Sequence, residues 1–139
     1  MIFLRIRHRF HQRASEWFCA ANMLQFGLTL MHKSQTFDSP AYTAFRWLGE
    51  AWTGAAVGSC GFVWLCGLIV NGARQRVTST IRAWCAFVGA LVYGLLALGF
   101  LWSFKMTNLL STGIGNYALV SVLALYALFH VMRDKREQG

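Results

Sequence analysis

The side chains best suited to acid–base chemistry are five carboxylates, and all of them lie outside or at the ends of long apolar stretches. They are Glu16, Asp38, Glu50, Asp134 and Glu137. Proton-coupled export needs a carboxylate within the apolar span, and general acid–base catalysis needs groups held together in a pocket. The positions of the carboxylates therefore argue against both activities.

Histidines, cysteines and serines offer no better arrangement for chemistry. The four cysteines fall inside apolar stretches without a C-x-x-C pair, so we interpret them as packing residues. They are Cys19, Cys60, Cys66 and Cys85. Haem ligation needs two histidines at one depth, whereas His32 and His130 are expected at opposite ends of their helices. Nothing orients Asp38, Ser39 and His32 as a hydrolytic set. The sequence predicts no enzyme, no cofactor and no metal site.

The elements that must position these residues are those of a membrane protein. Of 139 residues, 56% are hydrophobic and only 13% are charged, whereas a soluble domain has about 25% charged residues. The uncharged window 83–104 would form a helix about 33 Å long, close to the thickness of the hydrocarbon core. We predict one all-α integral membrane domain over residues 1–139. Its four transmembrane helices form a bundle, with spans at about 15–32, 51–72, 81–104 and 111–132.

Charge predicts the orientation of this bundle. The chain carries a net charge of +8. Ten of its thirteen Lys and Arg residues lie in the basic segment 1–14, the stretch from Arg74 to Arg82 that joins the second span to the third, and the charged tail 133–139. Positive residues concentrate on the cytoplasmic side, so both termini are expected there. The same positive charge predicts contact with anionic lipid headgroups rather than with nucleic acid.

The first span is the weakest, and it carries a polar face. Asn22, Gln25, Thr29 and His32 recur at intervals of three and four, which places them on one side of a helix. A polar face is costly in lipid, so it is expected to point inward, toward other helices or water. Two roles stay open, namely hydrogen bonding between helices and lining of a pore or aqueous cavity.

Small residues predict where the helices pack closely. Gly54 and Gly58 form a G-x-x-x-G motif in the second span, and Gly61 continues its face; the third span presents Ala86, Ala90 and Gly94. Small residues let helix backbones approach closely in lipid. These two faces, joined by a short loop, predict a tight hairpin of the second and third spans. A homo-oligomer would use the same property.

The first outer loop is expected to contain a short interfacial helix. Ser39 followed by Pro40 is a helix-start signal, with a capping hydroxyl and a proline at the first helical position. Tyr42, Phe45 and Leu48 then recur at helical spacing. This pattern indicates an amphipathic segment that leads into the second span.

Several short stretches together resemble a known group of proteins. They are Arg13-Ala-Ser-Glu-Trp17, Phe37-Asp-Ser-Pro-Ala-Tyr42, Asn71-Gly72, Ser111-Thr-Gly113 with Tyr117, and Arg133-Asp134. The chain resembles the small four-span membrane proteins of tailed phages and prophages, a group to which the label holin is often attached. The resemblance implies a phage origin and a place in the bacterial inner membrane. It transfers no catalytic residue.

Three functions are compatible with these features. The first is a holin, an oligomeric protein that permeabilises the inner membrane to trigger lysis. The second is a non-pore phage protein that excludes superinfecting phage or anchors another component, with a phage or host membrane protein as partner. The third is a host protein of metabolism or of neutral-solute transport.

Overall fold

The protein is a bundle of four helices with a short cap across one end. The computed structural model describes residues 13–32, 36–70 and 75–137, with the side chains of 75–77 left out. Helices α1 to α4 span Ala14–Met31, Glu50–Val70, Gln75–Thr107 and Gly113–Glu137. Two 3-10 helices, Thr36–Asp38 and Pro40–Phe45, connect α1 to α2. The described ranges contain no strand, which confirms the all-helical prediction.

Three of these helices are long and apolar enough to cross a membrane. They are α2, α3 from Thr78 onward, and α4; α1 does not reach the same standard. Many of their outward side chains are large and apolar, among them Leu95, Leu98, Leu119 and Phe129, each at least 63% exposed. A soluble protein seldom exposes so much contiguous apolar surface. The chain is therefore a membrane protein by the composition and surface of its helices.

Successive helices run in opposite directions, so α1 and α3 begin at the same end of the bundle. The two ends differ chemically. We call one the basic end; there α1 and α3 begin and α2 and α4 finish, with Arg13, Arg82 and Arg133. We call the other the cap end, where the two 3-10 helices lie. Most of segment 1–14 and part of the predicted basic loop fall outside the described residues. The tail residues 133–137 continue α4 as helix.

Glycines bring α1 and α2 into backbone contact. A Cβ on Gly27 would overlap the backbone of Gly58, and one on Gly54 would lie 2.8 Å from the carbonyl oxygen of Gly27. A Cβ on Gly61 would lie 2.9 Å from the carbonyl oxygen of Ala20. The predicted G-x-x-x-G face thus packs on α1. The sequence predicted a tight hairpin of the second and third spans, but the glycine face of α2 packs most closely on α1. It does so because Gly27 of α1 has no side chain and lets the backbone of Gly58 approach it.

The small face of α3 packs largely on α4 instead. Ala86 is fully buried and Ala90 nearly so. The Ser121 hydroxyl of α4 donates a 2.8 Å hydrogen bond to the carbonyl oxygen of Ala90, and a Cβ on Gly94 would lie 3.3 Å from the same hydroxyl. The bundle is therefore two closely packed pairs, α1–α2 and α3–α4.

The cap closes one end of the bundle with aromatic side chains. Ser39 occupies the N-cap of the second 3-10 helix and Pro40 its first turn, as predicted, but the Ser39 side chain makes no capping hydrogen bond. The Phe45 ring lies directly on Gly99 of α3, where any Cβ would collide with it. The Ser103 hydroxyl accepts a hydrogen bond from the backbone N–H of Ala44 at 3.2 Å. The loop segment is thus packed onto the bundle as 3-10 turns, whereas the sequence predicted a helix lying in the membrane interface.

Candidate functional site: the polar edges of the first helix

The buried face of α1 differs from the polar face that the sequence predicts. Its buried residues recur every three or four positions around the helix. They are Glu16, Cys19, Ala20, Met23, Phe26, Gly27 and Leu30. The predicted polar face lies on the other side of α1 from this line, with Asn22 half-buried at its margin and Gln25, Thr29 and His32 exposed.

Only Asn22 of the predicted polar face turns toward the other helices. Its side-chain oxygen accepts a 2.6 Å hydrogen bond from the Tyr93 hydroxyl of α3, and Tyr93 is completely buried. Gln25, Thr29 and His32 are exposed on the outside of α1. Together with Ala21, Leu24, Leu28 and Leu65 they line a shallow groove. The inward orientation expected for the whole face does not hold within one bundle.

A buried ion pair joins α1 to α3 at the basic end. Two guanidinium nitrogens of Arg82, Nε and Nη2, donate to the Glu16 carboxylate, and the Nε–Oε2 distance is 2.8 Å. Glu16 is 3% exposed and Arg82 is fully buried. This bidentate geometry compensates each charge for the loss of water, because a buried charge without a partner is very unfavourable.

The sequence did not predict this pair. Glu16 was considered only as a carboxylate at the end of an apolar stretch, and no partner was sought for it. A signal was nevertheless present in the sequence. Glu16 and Arg82 begin the first and third apolar windows, so both are expected at the same end of an antiparallel bundle. Opposite charges at one depth could have been paired on that ground.

A polar cavity of about 560 Å³ opens beside the ion pair, between α1 and α4. Its lining residues are Arg13, Ser15, Glu16, Tyr126, His130, Asp134 and Glu137. Arg13 and Asp134 form a salt bridge of 3.5 Å across the cavity. The His130 ring meets that of Tyr126 edge-on, with centroids 4.4 Å apart. Polar groups thus gather where α1 meets α4 near the basic end.

A second cavity, of about 620 Å³, opens between the same two helices at the cap end. Asn22, Tyr42, Asn116 and Tyr117 are among its lining residues. The Tyr117 ring stacks on Tyr93 at a centroid distance of 5.9 Å and an interplanar angle of 15°. Cavities therefore flank the edge of α1 that faces α4 near both ends of the bundle, whereas on the other edge glycines bring the backbones of α1 and α2 into contact.

The remaining groups that could do chemistry lie apart, with one exception. Within the described ranges, no three His, Cys, Asp or Glu side chains gather closely enough to hold a metal ion. His32 ends α1 at the cap end, and His130 lies near the basic end. The exception is a thiol pair, since Cys60 of α2 and Cys85 of α3 are neighbours with free thiols. The C-x-x-C criterion could not find it, since the two residues come from different helices.

Comparison with known proteins adds no relative. The chain matches none of the protein-family models, curated proteins or solved structures with which it was compared.

Proposed function

We propose that this chain is a phage-encoded protein of the bacterial inner membrane that crosses the bilayer four times, with both termini in the cytoplasm. The excess of positive charge at the basic end supports this orientation. Helix α1, at 18 residues, is about 27 Å long. Its two most polar inward groups are satisfied within the protein, Glu16 by Arg82 and Asn22 by Tyr93. These bonds reduce the cost of placing a weakly hydrophobic helix in lipid.

Its proposed function is holin-like permeabilisation of that membrane by an oligomer. The observation that carries the proposal is the exposure of Gln25, Thr29 and His32 on the outside of α1. An amide facing hydrocarbon is unfavourable, so such a face is stabilised by the same face of a second copy or by water. Copies that associate through α1 would bring a line of polar side chains together, as an aqueous path requires.

Inducible expression with a potential-sensitive dye tests this function. The wild-type protein is expected to collapse the membrane potential abruptly after a delay, because permeabilisation waits for enough copies to assemble. Gln25→Leu removes the central amide of the exposed face and should delay or abolish the collapse. The matched control is Ser59→Leu, which replaces an exposed polar residue of α2 away from this face and should leave the timing unchanged.

Two results would contradict the proposal. Cells that grow with a normal potential at high expression of wild-type protein would exclude permeabilisation. A Gln25→Leu variant that reaches the membrane at the wild-type level and collapses the potential on the wild-type schedule would exclude the role of the exposed face.

The alternative is a non-pore protein that acts through a partner at the cap end. Trp47, which follows the cap, and Trp52, in the first turn of α2, are 81% and 84% exposed there. Phe45 holds the adjoining cap to the bundle. Exposed tryptophans on an ordered surface are typical of binding hot spots. Under this alternative, expressing cells stay healthy and resist DNA injection by an infecting phage, and the double variant Trp47→Ala/Trp52→Ala loses the resistance.

A further inference from the structure

A groove with an apolar floor and a cationic rim runs along the outside of the α3–α4 pair near the basic end. Its volume is about 640 Å³. The floor and walls come from Ala83, Trp84, Phe87, Leu128 and Met132, and the rim from Thr80, Lys135 and Arg136. Neither of the cavities beside α1 shares a lining residue with it.

The apolar part of the groove is open to the surroundings of the bundle. Trp84 is 64% exposed, Met132 47% and Phe87 43%. The Trp84 and Phe87 rings meet edge-on with centroids 6.1 Å apart, so they form a continuous wall. Such a wall is complementary to a hydrocarbon chain and not to a polar ligand.

The rim of the groove carries positive charge that is not neutralised by the neighbouring carboxylates. The acidic residues of α4 face other partners, since Asp134 pairs with Arg13 and Glu137 with Arg133 at 3.0 Å. Lys135 Nζ donates a 3.2 Å hydrogen bond to the Thr80 hydroxyl, which holds the ammonium group over the groove. In the described part of the chain, neither Lys135 nor Arg136 belongs to an ion pair.

We propose that this groove binds an anionic phospholipid. The phosphate lies between Lys135 and Arg136, with the Thr80 hydroxyl beside it, and one acyl chain runs along Trp84, Phe87 and Met132. Two complementary features select this ligand: the cations select a negative headgroup, and the apolar walls require a hydrocarbon tail on the same molecule. The boundary of the hydrocarbon core, where a phosphate would lie, coincides with the point at which α4 changes from apolar to charged residues.

This inference requires only that the bundle lie in a bilayer, so it stands apart from permeabilisation. It is tested on purified protein in detergent micelles by native mass spectrometry. Equal amounts of phosphatidylglycerol and phosphatidylcholine with identical acyl chains are added at low ionic strength. The wild-type protein is expected to retain phosphatidylglycerol preferentially.

The decisive variant is Lys135→Gln/Arg136→Gln, and its control is Arg46→Gln/Lys105→Gln. Each removes two positive charges, but the control residues lie outside the groove. A cation near the membrane surface contributes enough that losing both should weaken phosphatidylglycerol binding about 10- to 30-fold. The control should bind nearly as the wild type does. Unchanged melting temperatures of both variants establish that they are folded.

A second variant tests the apolar part of the site. Trp84→Ala removes an exposed wall without disturbing the core, and it should weaken retention of the phospholipid. Glycerol 3-phosphate, which carries at least the negative charge of the headgroup but no acyl chain, should not displace the lipid at equal concentration.

Three results would overturn the proposal. They are equal retention of the two lipids by the wild type, equal loss in the two charge variants, and displacement of the lipid by glycerol 3-phosphate. The second result would mean general attraction by net charge, and the third would mean a phosphate site without a lipid.

Discussion

Helix α1 is held to its neighbours in two different ways along its two inner edges. Toward α2 it packs through close backbone contact, because Gly27, Gly54 and Gly58 have no side chains to keep the two helices apart. Toward α3 and α4 it is held by a few polar bonds, chiefly Glu16–Arg82 and Asn22–Tyr93, beside two cavities of about 560 and 620 Å³.

The difference shows how a helix too polar to be a strong membrane span can belong to a membrane bundle. Close packing supplies van der Waals contact over a long line, which is a main source of helix association in lipid. The polar bonds compensate for groups that lipid cannot solvate. On the edge that faces α2, an added side-chain atom should destabilise the protein. On the edge that faces α3 and α4, a charge left without its partner should do so. Each of these expectations can be tested separately.

The largest effect is expected from breaking the ion pair on one side only. Arg82→Met leaves the Glu16 carboxylate buried without its partner and should lower the free energy of unfolding by about 3–5 kcal/mol. Unfolding in detergent micelles, followed by circular dichroism, measures this change.

The control for the ion pair is the double variant Glu16→Gln/Arg82→Met. It removes both charges and should regain most of the lost stability, because a neutral replacement of a buried pair is often nearly neutral in free energy. A double variant as unstable as Arg82→Met would contradict the explanation by unpaired charge.

The next effect is expected at the glycine contact. Gly27→Ala places a methyl group on the backbone of Gly58, which cannot move aside as a side chain could. Overpacking of this kind should cost about 1–3 kcal/mol of unfolding free energy. Gly115→Ala in α4 is the matched control, because nothing lies within 4 Å of the added atom. It should be neutral or slightly stabilising, since alanine favours helix. Equal melting temperatures for the two variants would exclude backbone contact at Gly27.

The smallest effect is expected at the hydrogen bond between Tyr93 and Asn22. Tyr93→Phe keeps the ring and its stacking on Tyr117 but removes the hydroxyl that donates to Asn22. The loss should be about 1 kcal/mol. Tyr126→Phe, at an exposed tyrosine of α4, should leave unfolding unchanged. A loss as large for Tyr126→Phe as for Tyr93→Phe would mean that the Asn22 bond contributes nothing specific.

The sequence was most informative where the relevant signal is local. Uncharged windows correctly predicted an all-helical chain with long apolar helices, because chain length and charge act within a few residues. The Ser39–Pro40 signal marks the start of the second 3-10 helix, but the predicted capping hydrogen bond of the Ser39 hydroxyl is not formed. Helical spacing also grouped the polar residues of α1 correctly. It could not say which neighbour each would face: Asn22 and Gln25 are three residues apart, about 60° around the helix, and they fall on opposite sides of the contact boundary.

Pairings between distant residues depended on information that local spacing does not contain. Glu16 and Arg82 are 66 residues apart, and Gly27 is matched to Gly58 only once the order of packing is known. Small faces on α2 and α3 were compatible with each other in principle. The structure instead pairs each with the helix whose own small residues leave space for it, Gly27 on α1 and the Ser121 region of α4.

The central claim is that copies of the protein associate through the exposed face of α1. Cross-linking between copies tests it most directly. Leu28→Cys, which lies beside Gln25 and Thr29 in the same groove and keeps all three exposed polar residues, is introduced into a variant whose four native cysteines are replaced by alanine, and membranes are treated with a mild oxidant. If copies associate through this face, Leu28→Cys should form a disulfide-linked dimer in high yield, whereas Ser59→Cys on the exposed side of α2 should form little. Monomeric Leu28→Cys, or equal dimer yields from the two positions, would contradict association through α1.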